Sequence, residues 1–364
     1  MIYEISPPDV IKVLMLGVFG FLTAFLLTPT LTNFLYKHQL WKKKARDISI
    51  DGQEIPFFLK YHSKKEVNIP RMGGLLIWVT TLLLAFIFFF LAQISDIYWL
   101  DKLNFLSREQ TWLPLFALVT ASIIGLFDDL LQTLPIIKGS FWKKISGDIG
   151  GGLTLRYRIF LVSLIGLIGG LWFYYRLGWD TIHIPGIGEV FIGIFYIPLF
   201  VLVMAATYSG GVIDGLDGLS GGTFASIFGA YTVIALSQQQ FDLAAFSAVI
   251  MGSTLAFLWF NIPPARFYMG ETGIIGLCAA LTVIAFLTDA VLVLPIIAFL
   301  LVIESASVII QLLSKKFLKR KVFLAAPIHH HFEAKQWPHY KVTMRFWVVG
   351  VVMAIIGVTI KLLG

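Results

Sequence analysis

Thr207-Tyr-Ser-Gly-Gly-Val-Ile-Asp-Gly-Leu-Asp-Gly-Leu-Ser-Gly-Gly222 sets two carboxylates, Asp214 and Asp217, between two apolar runs. Val190 to Ile213 carries no charge, and neither does Leu219 to Phe241. The two acids therefore stand at the water-facing junction of two membrane spans. Gly210, Gly211, Gly215, Gly218, Gly221 and Gly222 leave little side-chain bulk there, so backbone N–H groups and helix ends can approach a phosphate or a sugar. A loop of solvated acids is the plainer alternative. Against it, two acids three residues apart project from one side of a helical turn.

Working outward, the composition is 58% hydrophobic and 13% charged with a mean hydropathy of +0.84, which excludes an ordinary soluble domain. The chain reads as one all-α integral membrane domain over residues 1–364, and a bilayer core takes about 20 helical residues to cross. Ten runs qualify: Val10 to Leu35, Met72 to Ile94, Thr111 to Phe127, Ile159 to Tyr175, Val190 to Thr207, Leu219 to Leu236, Leu243 to Phe260, Thr272 to Thr288, Val291 to Leu313, and Phe346 to Leu363. The N-terminus lacks a basic n-region and a cleavage pattern, so the first run reads as a retained span. Cys278 lies in an apolar run and reads as a small buried hydrophobe.

Loop charge orients the bundle, because Lys and Arg concentrate in loops left in the cytoplasm. Of 28 such residues, 23 fall in the loops after spans one, three, seven and nine. Those loops, together with the Asp214 loop, are expected on the cytoplasmic face, with both termini outside.

The polar clusters collect on that face. Arg71 precedes Gly73-Gly74 at a helix start, a site for an anion or an ordinary membrane anchor, whereas Lys42, Lys43 and Lys44 read as anchors. Asp128-Asp129 follow the third span; adjacent carboxylates repel unless a cation lies beside them, which suggests Mg²⁺. Lys138, Lys143, Lys144, Gly150 to Gly152, Arg156 and Arg158 are placed to meet acidic lipid headgroups or substrate. Pro263-Pro264 stops a helix, and Gly270-Glu271-Thr272-Gly273 turns into the eighth span with one carboxylate presented. His329, His330 and His331 are consecutive and cannot all point at one ion, so they read as hydrogen-bond donors for a phosphorylated substrate. Glu304, inside the ninth span, requires a partner or a polar cavity and reads as a brace.

Four motifs, Asp128-Asp129, Asp214-Gly-Leu-Asp217-Gly-Leu, Asn261 with Met269-Gly-Glu-Thr-Gly273, and Pro327-Ile-His-His-His-Phe-Glu333, resemble in order those of the polyprenyl-phosphate sugar-1-phosphate transferases, specifically the MraY type. The resemblance covers essentially the whole chain, and the histidine motif favours MraY over the WecA type, which uses UDP-GlcNAc. It implies transfer of phospho-MurNAc-pentapeptide from UDP-MurNAc-pentapeptide to undecaprenyl phosphate, yielding lipid I and UMP at the cytoplasmic face of the bacterial inner membrane. By that resemblance Asp128 and Asp129 serve the acceptor phosphate and base chemistry, and Glu271 with Asp128 holds Mg²⁺. Asp214, Asp217, Asn261 and Tyr268 bind the uridine end, and the three histidines hold pyrophosphate or sugar, with Arg71 as a further substrate contact. Membrane lipid and a second copy are the implied partners, and nucleic acid is not among them. The chain departs from the family at Glu271, where Asp is usual, and at Tyr208 and Gly211, where Asn is usual. A transporter would place its binding groups near the bilayer midplane in repeated halves, and no repeat is visible.

Overall fold

A computed structural model describes residues 6–42, 67–107, 110–133 and 152–364. Lys43, Lys44, Lys138, Lys143, Lys144, Gly150 and Gly151 lie outside the described residues. The described residues are helical almost throughout, as the apolar runs require: a backbone in hydrocarbon must satisfy its own N–H and C=O groups. Helix α1 (Pro7–Lys37) is followed by α2 (Leu75–Ile94), the short α3 (Tyr98–Leu103) and α4 (Trp112–Thr133). Next come α5 (Leu155–Leu171), which runs on as a π turn to Arg176, then a hairpin of β1 (Thr181–Ile184) and β2 (Gly188–Phe191), and α6 (Tyr196–Ser209). Helices α7 (Leu219–Ser237), α8 (Phe241–Asn261) and α9 (Gly270–Leu287) complete the centre. The remainder is α10 (Leu294–Ile297), α11 (Phe299–Leu313), α12 (Ile328–Ala334) and α13 (His339–Leu363).

Among the described residues, nine of the ten expected runs form single helical segments long and apolar enough to cross a membrane. The difference is the run Val291 to Leu313, which is broken at Ala298 (φ −95°, ψ 31°) into the single turn α10 and the 15-residue α11. Pro295 opens that single turn, where its missing N–H costs nothing. The fifth run also starts later than expected, because Val190 belongs to β2, paired antiparallel with β1.

Burial grades the helices from centre to rim. The hydrophobic window of α9 is 94% buried, whereas those of α5 with its π turn and of α13 are only 22% buried and lie at the rim of the bundle. Helix α9 packs on α4, α8 on both α1 and α7, α5 on α6, and α13 on α7. At one end of the bundle ion pairs join helices: Lys12 of α1 lies 2.5 Å from Asp242 of α8 and donates to the Asn104 carbonyl (2.9 Å), and Lys102 of α3 pairs with Asp9 of α1. The site lies at the other end, around the start of α9.

Candidate active site

The first N–H groups of a helix have no partner within it and carry the positive end of its dipole. At the start of α9, two carboxylates from distant stretches take them. The Gly270 N–H donates to Asp214 (3.2 Å), while those of Glu271 and Thr272 donate to the two oxygens of Asp129 (3.1 and 2.9 Å). Gly270 is required here twice over: its φ is +73°, and a Cβ would stand 2.5 Å from an Asp129 oxygen. Asp214 also accepts from Ser220 (2.8 Å). Burial raises the Asp214 carboxyl above its ordinary range, with Arg71, Ser220 and Gly270 pulling the other way. Arg71 Nε lies 3.6 Å from Asp129, and the chain around it is clamped to the segment before α9: the Tyr268 N–H donates to Pro70 (2.9 Å) and the Gly73 N–H to Tyr268 (2.8 Å).

Asp128, one residue earlier on α4, faces a different partner. Helix α4 does not stop before the acid pair but carries both inside its last turns, with both side chains fully buried. Arg158, on the first turn of α5, places Nη2 3.0 Å from Asp128 and Nη1 2.5 Å from Glu271, so one guanidinium bridges α4 and α9. Its Nε donates to the Leu153 carbonyl (2.9 Å), and the Leu153 N–H returns to Asp128 (2.5 Å). Gln132 donates to Asp128 as well (2.7 Å). Tyr208 stands near enough to Arg158 to act on it electrostatically, so Tyr208 and Glu271 meet at the same guanidinium. The sequence placed Arg158 among the basic residues that meet lipid headgroups or substrate, marked Tyr208 only as a replaced amide, and gave Gln132 no role in the site. The one legible signal was a basic residue following a glycine run.

The turn between α6 and α7 is held from three sides. Asn261 is buried; its oxygen accepts from the Gly218 N–H (2.9 Å) and its amide donates to the Phe267 carbonyl (2.8 Å). Asp217, also buried, accepts from the Ala265 N–H (3.3 Å). Thr343 and Trp347 of α13 donate to the carbonyls of Asp217 (3.2 Å) and Gly218 (3.1 Å). Asp217 and Asn261 thus stand together as expected, and the contacts described here tie the turn to residues 261–267. The histidines part company. His329 is fully buried with Nδ1 2.9 Å from Glu304, the brace expected inside the ninth run. His330 meets Glu333 (2.6 Å), which also holds His339, and His331 Nδ1 accepts from the Leu324 N–H (3.1 Å). Burial lowers the His331 ring below its ordinary titration range.

Among the described residues, Asp128 and Glu271 have the chemistry to hold a hard cation at this end of the bundle, where Arg158 now bridges them. Asp128 and Glu271 offer carboxylate oxygens to the same cationic group, and Glu271 Oε2 is buried with no hydrogen-bond partner among the described residues.

Nine helical segments long and apolar enough to cross a membrane, among the described residues, give a multi-pass membrane protein, and residues 111–289 match Glycosyl transferase family 4. The chain is 32% identical over 345 residues to the phospho-N-acetylmuramoyl-pentapeptide-transferase of Lactiplantibacillus plantarum, covering 93% of this chain and 95% of that one. It is 33% identical to the proteins of the same name from Anoxybacillus flavithermus (93% and 95% covered) and Bacillus subtilis (94% and 95%). The chain belongs to the phospho-N-acetylmuramoyl-pentapeptide-transferase family, which supports the MraY reading over the WecA alternative.

Proposed function

We propose that this enzyme moves phospho-MurNAc-pentapeptide from UDP-MurNAc-pentapeptide to undecaprenyl phosphate, releasing UMP and leaving lipid I, at the cytoplasmic face of the bacterial membrane. The observation that carries this reading is the convergence of Asp128 and Glu271 on Arg158 at one end of the bundle. A lipid phosphate and a cytosolic nucleotide can meet only at a membrane surface, and two phosphorylated substrates need dense countercharge there. The strong excess of Lys and Arg in the loops of that end supports the cytoplasmic assignment.

In this reading Asp128 acts on the acceptor phosphate, as base or nucleophile, with Asp129 beside it holding the start of α9 in place. Arg158 and Arg71 bind phosphate oxygens, and Asp214, Asp217, Asn261 and Tyr268 shape the uridine end. His329, His330 and His331 attend pyrophosphate and sugar. Glu271 and Asp128 would hold Mg²⁺, which would neutralise charge on the pyrophosphate as UMP leaves. The acceptor oxygen displaces UMP from the sugar-bearing phosphorus directly or through an aspartyl intermediate, and either route releases one UMP. The test is UMP release by the purified protein with undecaprenyl phosphate, comparing UDP-MurNAc-pentapeptide with UDP-GlcNAc, each with Mg²⁺ or EDTA. Metal-dependent release with the muramyl donor alone is expected, and release with UDP-GlcNAc alone would overturn the donor assignment.

A further inference from the structure

Glu304 sits inside the apolar helix α11 with its side chain fully buried, where a bare carboxylate is costly and marks a function or a partner. Its partner is specific. Oε2 lies 2.9 Å from His329 Nδ1, while Oε1 has no hydrogen-bond partner among the described residues. A carboxylate on Nδ1 fixes the ring and settles which nitrogen remains to act. That nitrogen is Nε2, also buried and also without a partner among the described residues. It is pressed against the turn that carries both acids: a Cβ at Gly215 would stand 2.3 Å from it, so the bare Cα of Gly215 is what leaves Nε2 an approach.

His330 and His331 already spend a ring nitrogen on Glu333 and on the Leu324 N–H, and neither reaches this turn by a contact described here. A buried polar atom left unpaired costs about 1–3 kcal/mol, and such an atom in a folded enzyme calls for an explanation in its chemistry. A pyrophosphate oxygen over the turn would accept from the Nε2–H of the His329 imidazolium and so supply its missing partner.

We propose that Glu304 is a positioning residue for the transfer reaction, accepting from Nδ1–H of a His329 imidazolium so that the ring's Nε2–H donates to an oxyanion of the donor pyrophosphate beside Gly215. This rests on the reading above in which His329 attends the pyrophosphate. Glu304 touches no substrate; it acts through the imidazole alone, and its effect must vanish once the imidazole is gone.

The experiment is a double-mutant cycle on the full chain in detergent, reading kcat and KM for UDP-MurNAc-pentapeptide by UMP release, with thermal unfolding of every variant. Glu304→Leu and His329→Asn are each expected to lower kcat/KM about 100-fold, and the double variant to be no worse than His329→Asn alone. Glu304→Gln keeps an acceptor for Nδ1–H and is expected to lose only about tenfold. Should Glu304→Leu fail to fold, Glu304→Gln completes the cycle with His329→Asn, and the same absence of further loss is expected. Losses that multiply in the double variant overturn the proposal, as does full turnover of His329→Asn beside a crippled Glu304 variant. A wild-type protein that releases no UMP overturns the functional reading and this proposal with it, whereas an active wild type with multiplying losses overturns the proposal alone.

Discussion

The two ends of the bundle both carry buried or half-buried charge, and they use it differently. At the end away from the site, charges pair one to one: Lys12 with Asp242, and Lys102 with Asp9. That pattern belongs to the two lysine pairs: at the same end His183, Glu189 and Asp289 bring ligand atoms within 4.8 Å of one another, with His183 Nδ1 3.2 Å from Glu189 and the His183 backbone N–H donating to Asp289 (3.0 Å). At the site end, charge is shared. Arg158 serves Asp128 and Glu271 at once, and Asp129 serves two N–H groups and Arg71. Paired charges fasten elements together, whereas a shared cation between carboxylates can be exchanged for another cation or for a substrate's countercharge without leaving any group bare.

That contrast breaks most visibly in turnover. Asp128→Asn and Arg158→Gln are each expected to lower kcat by on the order of 10³-fold in UMP release, and normal turnover of Asp128→Asn with both substrates bound would remove its assigned role. At the opposite end, Lys12→Met removes the close partner of the partly exposed Asp242; a loss of about 1–2 kcal/mol in unfolding stability is expected, with kcat held within about twofold. A comparable fall in kcat there would erase the distinction between the two ends. Gly270→Ala sharpens it: a side chain at positive φ, pushed against Asp129, is expected to cost about 1–2 kcal/mol and about tenfold in kcat/KM.

The smallest effect concerns pH. Burial raises the Asp214 carboxyl above 3.8, so between that value and its folded one the native state holds more protons than the unfolded state. Stability contributed by this group is therefore greatest below 3.8 and declines as pH rises through the folded value. Asp214→Asn is expected to flatten that decline in a series of melting temperatures across the weakly acidic range, and an unchanged slope would count against it.

The sequence was most informative where charge interrupts hydrocarbon. Asp128, Asp129, Asp214, Asp217 and Glu271 stand out because nothing apolar explains them, and the structure gathers Asp128, Asp129, Asp214 and Glu271 around the start of α9, with Asp217 in the adjoining turn. Arg158 did not stand out, because it follows a loop rich in other cations and its second carboxylate is 113 residues away. The break at Ala298 was hidden by an uninterrupted apolar run in which Pro295 was the sole mark. The hairpin left a clearer trace, the Pro185-Gly186 pair between Thr181 to Ile184 and Gly188 to Phe191, but the uncharged run beginning at Val190 drew that strand into a span.

The start of α9 also constrains how this enzyme can be recombined with its relatives. Gly270, Glu271 and Thr272 draw their acceptors from residues 56, 142 and 143 positions earlier in the chain. A chimera joined anywhere between Asp129 and Gly270 therefore unites a donor turn from one parent with an acceptor carboxylate from the other. Such a hybrid works only where both parents place these atoms alike, which makes the junction itself a ruler for how far the family's backbones have drifted apart.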